Sequence, residues 1–133
     1  MRAQSSSFIM KFVKSKKAPE PIGPYSQAVV VKNLVFVSGM IAVDPATGKM
    51  VSGGVKEQTE RALASLKAVL KAAGTSEKSV AKTTVFLKDA SMFKDMNEAY
   101  AKFFGKHKPA RATVVTGFVR DDILVEIEAV ASR

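Results

Sequence analysis

The sequence has no cysteine, no tryptophan and a single histidine, His107, among its 133 residues. Without thiols there is no disulfide framework, no thiolate zinc or iron–sulfur site and no thiol nucleophile, and one imidazole cannot build a multi-histidine metal centre. With 8 glycines and 5 prolines, no stretch reads as a linker, a repeat or a low-complexity segment. No apolar run approaches the roughly 20 residues of a membrane span, and no small-residue cleavage site follows the short Phe8-Ile9-Met10 cluster. Neither a membrane protein nor a secreted one is expected. The groups left to carry chemistry are Arg, Lys, Ser, Thr, Tyr, Asp and Glu, on a chain whose length fits one domain of about 100–150 residues.

Acidic residues are scarce: 12 against 21 basic ones, for a net charge of +9. Residues 1–19 hold Arg2, Lys11, Lys14, Lys16 and Lys17 and no acid, while the rest of the chain, with 16 basic against 12 acidic residues, carries only +4. The excess reads as a solvated tail and strand edge rather than a dedicated phosphate-binding surface.

Ala28–Val31 and Leu34–Ile41 are β-rich runs joined by Lys32-Asn33, a hairpin turn, and Asp44-Pro45-Ala46-Thr47-Gly48 marks a second turn. Ala62, Leu63, Leu66, Val69, Leu70 and Ala73 recur at helical spacing before the stop at Gly74. Val80–Lys88 alternates like a half-exposed strand. Ser91 is placed to cap a second helix, with the stripe Phe93, Met96, Tyr100, Phe103 and Phe104, ended by Gly105 and barred from continuing by Pro109. Ala110–Phe118 and Ile123–Ala131 complete the chain as strands around Arg120-Asp121-Asp122. The order ββ-α-β-α-β-β predicts a single α+β domain in which two helices pack on one face of a mixed sheet.

Turning Ala110, Ala112 and Val114, with Val125, Ile127 and Ala129, toward the helices puts Arg111, Thr113 and Val115, together with Glu126 and Glu128, on the opposite face. Such a face, with Phe86, Leu124 and Val130 beside the charges, is too apolar for water and too charged for a core. It is expected to meet other subunits, with charged groups lining clefts between them.

Several residues could carry chemistry there. Arg111 has the planar fork that clamps a small carboxylate bidentately, or it forms a structural ion pair with Glu126 or Glu128. Glu126 and Glu128 could work as paired carboxylates, or be one solvated and one paired. Asn97 flanks the aromatic stripe and wants a partner, which a helix-to-loop hydrogen bond would also supply. Tyr25 sits on a loop stiffened by Pro21 and Pro24, where it is a site residue or a packed anchor. Ser38 and Gly39 interrupt an apolar strand, as a bulge or a close backbone approach does. No histidine lies near Ser26 or Ser38, so a Ser-His-acid hydrolase is not expected. Gly53-Gly54 lacks the Lys-Ser/Thr of a phosphate loop.

Six blocks, in order and spacing, tie these residues together: Ile22-Gly23-Pro24-Tyr25-Ser26-Gln27, Val37-Ser38-Gly39-Met40-Ile41, Lys82–Asp89, Met96-Asn97-Glu98-Ala99-Tyr100, Pro109-Ala110-Arg111-Ala112-Thr113 and Val125–Ala131. From about Lys11 to the C-terminus the chain resembles the Rid (YjgF) family of reactive-intermediate deaminases. The resemblance implies a chorismate-mutase-like fold and a homotrimer whose sheets form a central barrel with three inter-subunit clefts. It implies hydrolysis of 2-enamine and 2-imine intermediates such as 2-aminoacrylate to a 2-keto acid and ammonia. Arg111 then looks like the carboxylate clamp and Glu126 like the residue that positions water, with Tyr25, Ser38, Gly39, Asn97 and Thr113 as the rest of the substrate cleft. No metal or cofactor is called for, because an imine carbon is already electrophilic and orientation, one water and a fixed cation suffice.

Thr113 stands where many members have Cys, Met40 replaces a common Gln, and Val119-Arg120-Asp121-Asp122 lacks the usual Leu-Pro-Lys turn. Because the resemblance starts near Lys11, residues 1–10 read as a flexible extension and 11–133 as the domain. Phe8, Ile9, Phe12 and Val13 would share one side of a helix, so a mitochondrial presequence is the alternative to a cytoplasmic chain. Two other functions are carried forward: a single-strand ribonuclease or translation inhibitor, which the charge would suit, and a non-catalytic carboxylate-binding trimer. The expected partners are thus an imino-acid substrate and two further copies of the chain, with RNA a lesser candidate and no membrane.

Overall fold

The computed structural model describes residues 9–133. Most of the expected extension, including Phe8, lies outside the described residues. The chain runs β1 (Met10–Val13), β2 (Ala28–Val31), β3 (Leu34–Met40), β4 (Val43–Asp44), β5 (Lys49–Met50), α1 (Val55–Ala72), β6 (Val80–Leu87), α2 (Phe93–Phe104), β7 (Ala110–Val115) and β8 (Val125–Ser132). Six strands form one sheet in the order β1-β2-β3-β8-β6-β7, and β4 and β5 pair as a separate small hairpin. Only β6 and β7 run parallel, joined through α2, so the sheet is mixed as expected.

β1 corrects one expectation. Phe12 and Val13 lie on a strand, opposite Val29 and Ala28, not on one side of a helix. The free edge of β2 offers the run Met10–Val13 a hydrogen-bonding partner that local spacing does not reveal.

α1 starts at Gly54, whose backbone N–H donates to the Glu57 carboxylate at 2.8 Å. It stops where Gly74 takes φ +85°, while Thr75 N–H donates to Leu70 C=O at 2.9 Å. The second helix begins differently from the expectation. Ser91 does not cap it. Asp89 accepts from the Ser91 backbone N–H at 2.8 Å and caps the short turn Ala90–Met92, which leads into α2 at Phe93. Gly105, at φ 61°, ends α2.

The core lies between these helices and one sheet face. Leu63, Leu66 and Leu70 of α1 and Met96 of α2 are buried against Val35, Val85, Leu87 and Ile127. Burying side chains of this size stabilises by about 1.5–3 kcal/mol each before conformational entropy is counted. The opposite face keeps Phe36, at 44% exposure, uncovered beside Val130 and Glu128.

Candidate functional site

The sheet places the candidate residues in two groups. β3 and β7 are separated by β8 and β6, three inter-strand steps or about 14 Å.

The first group surrounds Gly39. The pairing of β3 with β8 shifts register between Val37 and Met40, so the chain bulges at Ser38-Gly39. The Ser38 backbone N–H donates to Gln27 C=O at 2.9 Å, and its hydroxyl donates to Ser26 C=O at 2.6 Å. Ser38 therefore ties the bulge to the Tyr25 loop and has its proton committed. Tyr25 is half exposed, and its hydroxyl accepts from Ile22 N–H at 3.3 Å. A cavity lined by Ile22, Tyr25, Gly39, Met40, Ile41 and Arg120 opens beside it.

Glu126 of β8 packs directly on Gly39. A Cβ at position 39 would overlap the Glu126 carboxylate, so glycine is required for the carboxylate to lie along the backbone. Glu126 forms no ion pair and no hydrogen bond among the described residues. Its pKa is raised, first by burial and then by the neighbouring charge of Glu128. A half-buried carboxylate without a partner, pushed upward, is suited to accepting a proton from water.

The second group surrounds Arg111. Arg111 sits opposite Thr83 across the parallel β6–β7 pair, and Thr83 is fully buried beneath the helices. Paired residues share a face, so Arg111 and Thr113 point to the helix side, while Glu126, paired with Phe86, points to the open side. The expected common face of Arg111, Thr113, Glu126 and Glu128 is thus corrected. The pattern failed because β7 is an edge strand: Ala110, Ala112 and Val114 stay exposed, and the inward face is left to Arg111.

What receives the cation is aromatic. The Arg111 guanidinium carbon is 4.7 Å from the Tyr100 ring centroid and 5.7 Å from that of Phe93. The Tyr100 hydroxyl is 2.7 Å from Thr83 Oγ1. Burial raises the Tyr100 pKa, with Thr83 and Arg111 acting in the other direction. Arg111 meets no carboxylate among the described residues, so the ion-pair reading finds no partner within one chain. Asn97 lines the same recess with Tyr100, Phe104, His107 and Arg111, and its amide has no hydrogen-bond partner there. Thr83, Phe93, Tyr100 and Arg120 were missed as site residues. The spacing of aromatics on α2 around Asn97 is the signal for Phe93 and Tyr100 and the unusual turn that for Arg120, while Thr83 declares itself only through its pairing with Arg111.

The Tyr25 loop and the glycine bulge thus lie at one place and Arg111 at the other, in a chain that has known relatives. The family model described as Endoribonuclease L-PSP covers residues 15–133. The chain belongs to this family, which is the YjgF/Rid family. It is 50% identical to a RutC family protein of Pyrococcus abyssi over 119 residues, 90% of this chain and 94% of that one. It is 44% identical to the 2-iminobutanoate/2-iminopropanoate deaminase of Homo sapiens over 126 residues, 95% and 92% of the two chains. The crystal structure of E. coli TdcF with bound serine superposes with a TM-score of 0.87 at 39% identity, covering 92% of this chain and 98% of the other. The α+β fold with two helices on one sheet is that of the L-PSP/YjgF family.

Proposed function

We propose that the protein hydrolyses 2-imino and 2-enamino acids, 2-aminoacrylate among them, to 2-keto acids and ammonia, in a cleft completed by a second copy of the chain in a homotrimer. The observation that carries this reading is Arg111: a guanidinium held against two aromatic rings, unpaired by any described carboxylate, beside the free amide of Asn97. The naming of the human relative as an imine deaminase and the serine bound to TdcF support it, since serine has the carboxylate and size of the proposed substrate.

The chemistry follows from the groups present. The enamine gains a proton at C3 and loses one from nitrogen to become the imine. Arg111 holds the carboxylate through two N–H donors, which fixes C2 in position. Glu126 holds a water, takes one of its protons as oxygen bonds to C2, and returns a proton to the nitrogen. The carbinolamine hydroxyl then gives up its proton to form the C=O as the C–N bond breaks and the nitrogen takes a proton, releasing ammonia and the keto acid. Arg111 and Glu126 point to opposite sheet faces in one chain, so Arg111 of one copy meets Tyr25, Ser38, Gly39 and Glu126 of the next. The uncovered β7 edge, where Val115 is exposed, and the apolar open face, where Phe36 is exposed, are the surfaces available for that assembly.

The ribonuclease reading receives no support from His107. It is the sole histidine, and its Nε2 is bonded to Val80 C=O at 2.7 Å, which leaves no imidazole pair for acid–base cleavage. Among the described residues no helix is long and apolar enough to cross a membrane. The test is to add the purified protein to a serine dehydratase reaction and follow the imine. Its lifetime should shorten in proportion to protein added; an unchanged lifetime contradicts the proposal.

A further inference from the structure

Arg111, Glu126 and a water account for the substrate's carboxylate and reacting carbon, and leave its side chain without a seat. The cavity beside Tyr25 and Gly39 offers one. It holds about 240 Å³, not far below the roughly 300 Å³ at which sites for whole small molecules begin. A substrate such as 2-aminoacrylate, whose side chain is a single carbon, would leave most of it empty. Gly39 and Tyr25 both line the cavity, and the Glu126 carboxylate lies against that same Gly39. The cavity therefore adjoins the group proposed to hold the attacking water.

The lining decides what the cavity can hold. Ile22, Met40, Ile41 and Val43 form its walls with Pro19 and Pro45, and since Met40 and Val43 are buried while Ile22 is exposed, it runs from the surface toward the core. The polar side chains beside them are already engaged within the chain. The buried Gln27 amide accepts from Ser15 N–H at 2.6 Å and donates to Ser15 and Pro19 C=O at 3.1 and 2.8 Å. Arg120 donates from Nε and Nη2 to the Asp122 carboxylate at 3.0 and 2.6 Å, and Glu20 has Lys14 at 3.3 Å. A polar side chain entering here would give up water and find its partners taken. The Arg120–Asp122 pair carries no net charge to draw in a carboxylate.

We propose, resting on the imine-hydrolase reading, that this cavity receives the substrate's side chain, and that the preferred substrates are 2-imino acids with apolar side chains larger than ethyl, such as those derived from leucine and methionine. Met40, Ile41 and Val43 set that preference by contact and by excluding water. The unbranched thioether of Met40 adapts its wall to branched and straight chains alike.

Calorimetric titration of the full-length protein with the corresponding 2-keto acids reads the cavity without catalysis. 4-Methyl-2-oxopentanoate should bind at least about tenfold more tightly than pyruvate, and 2-oxoglutarate no more tightly than pyruvate. With imines generated from leucine and alanine by an amino acid oxidase, kcat/KM should favour the leucine imine by a similar factor. Ile41→Ala, which strips a wall, and Val43→Phe, which fills the cavity, should each reduce that preference at least about threefold. Equal affinity for the branched keto acid and pyruvate, or a preference that neither variant alters, would overturn the proposal. So would tightest binding of 2-oxoglutarate, which would give Arg120 a distal carboxylate to hold. Hydrolysis of both imines at equal kcat/KM sinks the side-chain assignment alone; hydrolysis of neither sinks the deaminase reading, and the keto-acid titration still decides whether the cavity takes an apolar chain.

Discussion

The Arg111 guanidinium carbon sits 4.7 Å from the centre of the Tyr100 ring, and the Tyr100 hydroxyl is bonded to Thr83, the residue opposite Arg111 on β6. The three side chains close a loop between β6, α2 and β7. Tyr100→Leu keeps an apolar side chain at this site but removes the π face, worth about 0.5–2 kcal/mol, and should raise KM about 2- to 30-fold with a smaller change in kcat. Tyr100→Phe retains the ring and should lose less. Equal losses in kcat and KM from both variants would show that the ring acts through folding alone.

Arg111→Ala should cost about 2–5 kcal/mol of transition-state stabilisation, roughly 30- to 5,000-fold in kcat/KM. Arg111→Lys should recover little, because an ammonium lacks the two-pronged geometry. Steady-state kinetics on 2-aminoacrylate, with circular dichroism as the control for folding, check both. Wild-type turnover in Arg111→Ala would remove the carboxylate clamp from the account.

Gly39→Ala drives a methyl group into the Glu126 carboxylate. The expected result is about 1–3 kcal/mol of destabilisation from overpacking and a large loss of kcat, because the carboxylate must move. Adding Glu126→Ala should return much of the stability but none of the activity. Denaturant titration of the single and double variants measures the coupling.

The raised pKa of Glu126 gives two pH effects with defined signs. If Glu126 accepts the water proton as proposed, activity needs its ionised form, and the acid limb of the kcat/KM profile should lie above pH 4.5, the ordinary value for glutamate. Glu128→Gln removes a like charge and should move that limb to lower pH. For stability, the folded state holds the Glu126 proton more tightly than the unfolded chain does. Glu126 therefore lowers stability as pH rises from about 4.5 through the folded pKa, and Glu126→Gln should gain stability at pH 7 relative to pH 4. Melting temperatures of both proteins at the two pH values decide the sign.

The helices were legible from the sequence because each signal was local: apolar residues at helical spacing and glycines at positions 74 and 105 where the backbone turns to positive φ. β1 was not, since a four-residue strand containing Lys11 declares itself only when it meets Val30 of β2. The facing of Arg111 differs from the expectation for a related reason. At a sheet edge Ala112 and Val114 can remain outside at small cost, and the register of β7 is set by β6, not by its own alternation. The motif blocks identified Arg111, Glu126, Ser38 and Gly39 as residues to watch, and the glycine's contact with Glu126 gave that expectation a steric cause. The aromatic seat of Arg111 required the packing of α2 on the sheet, which no spacing rule contains.

The central claim, that one chain supplies Arg111 and its neighbour supplies Glu126, is tested by mixing two inactive variants. Arg111→Ala and Glu126→Gln chains, denatured together and refolded at equal concentration, assemble at random, and each mixed trimer contains one cleft with both native residues. The account predicts that imine hydrolysis returns to roughly a quarter of the wild-type level per chain. Activity no greater than the sum of the two separately refolded variants, with mixed trimers confirmed by mass spectrometry, would contradict it.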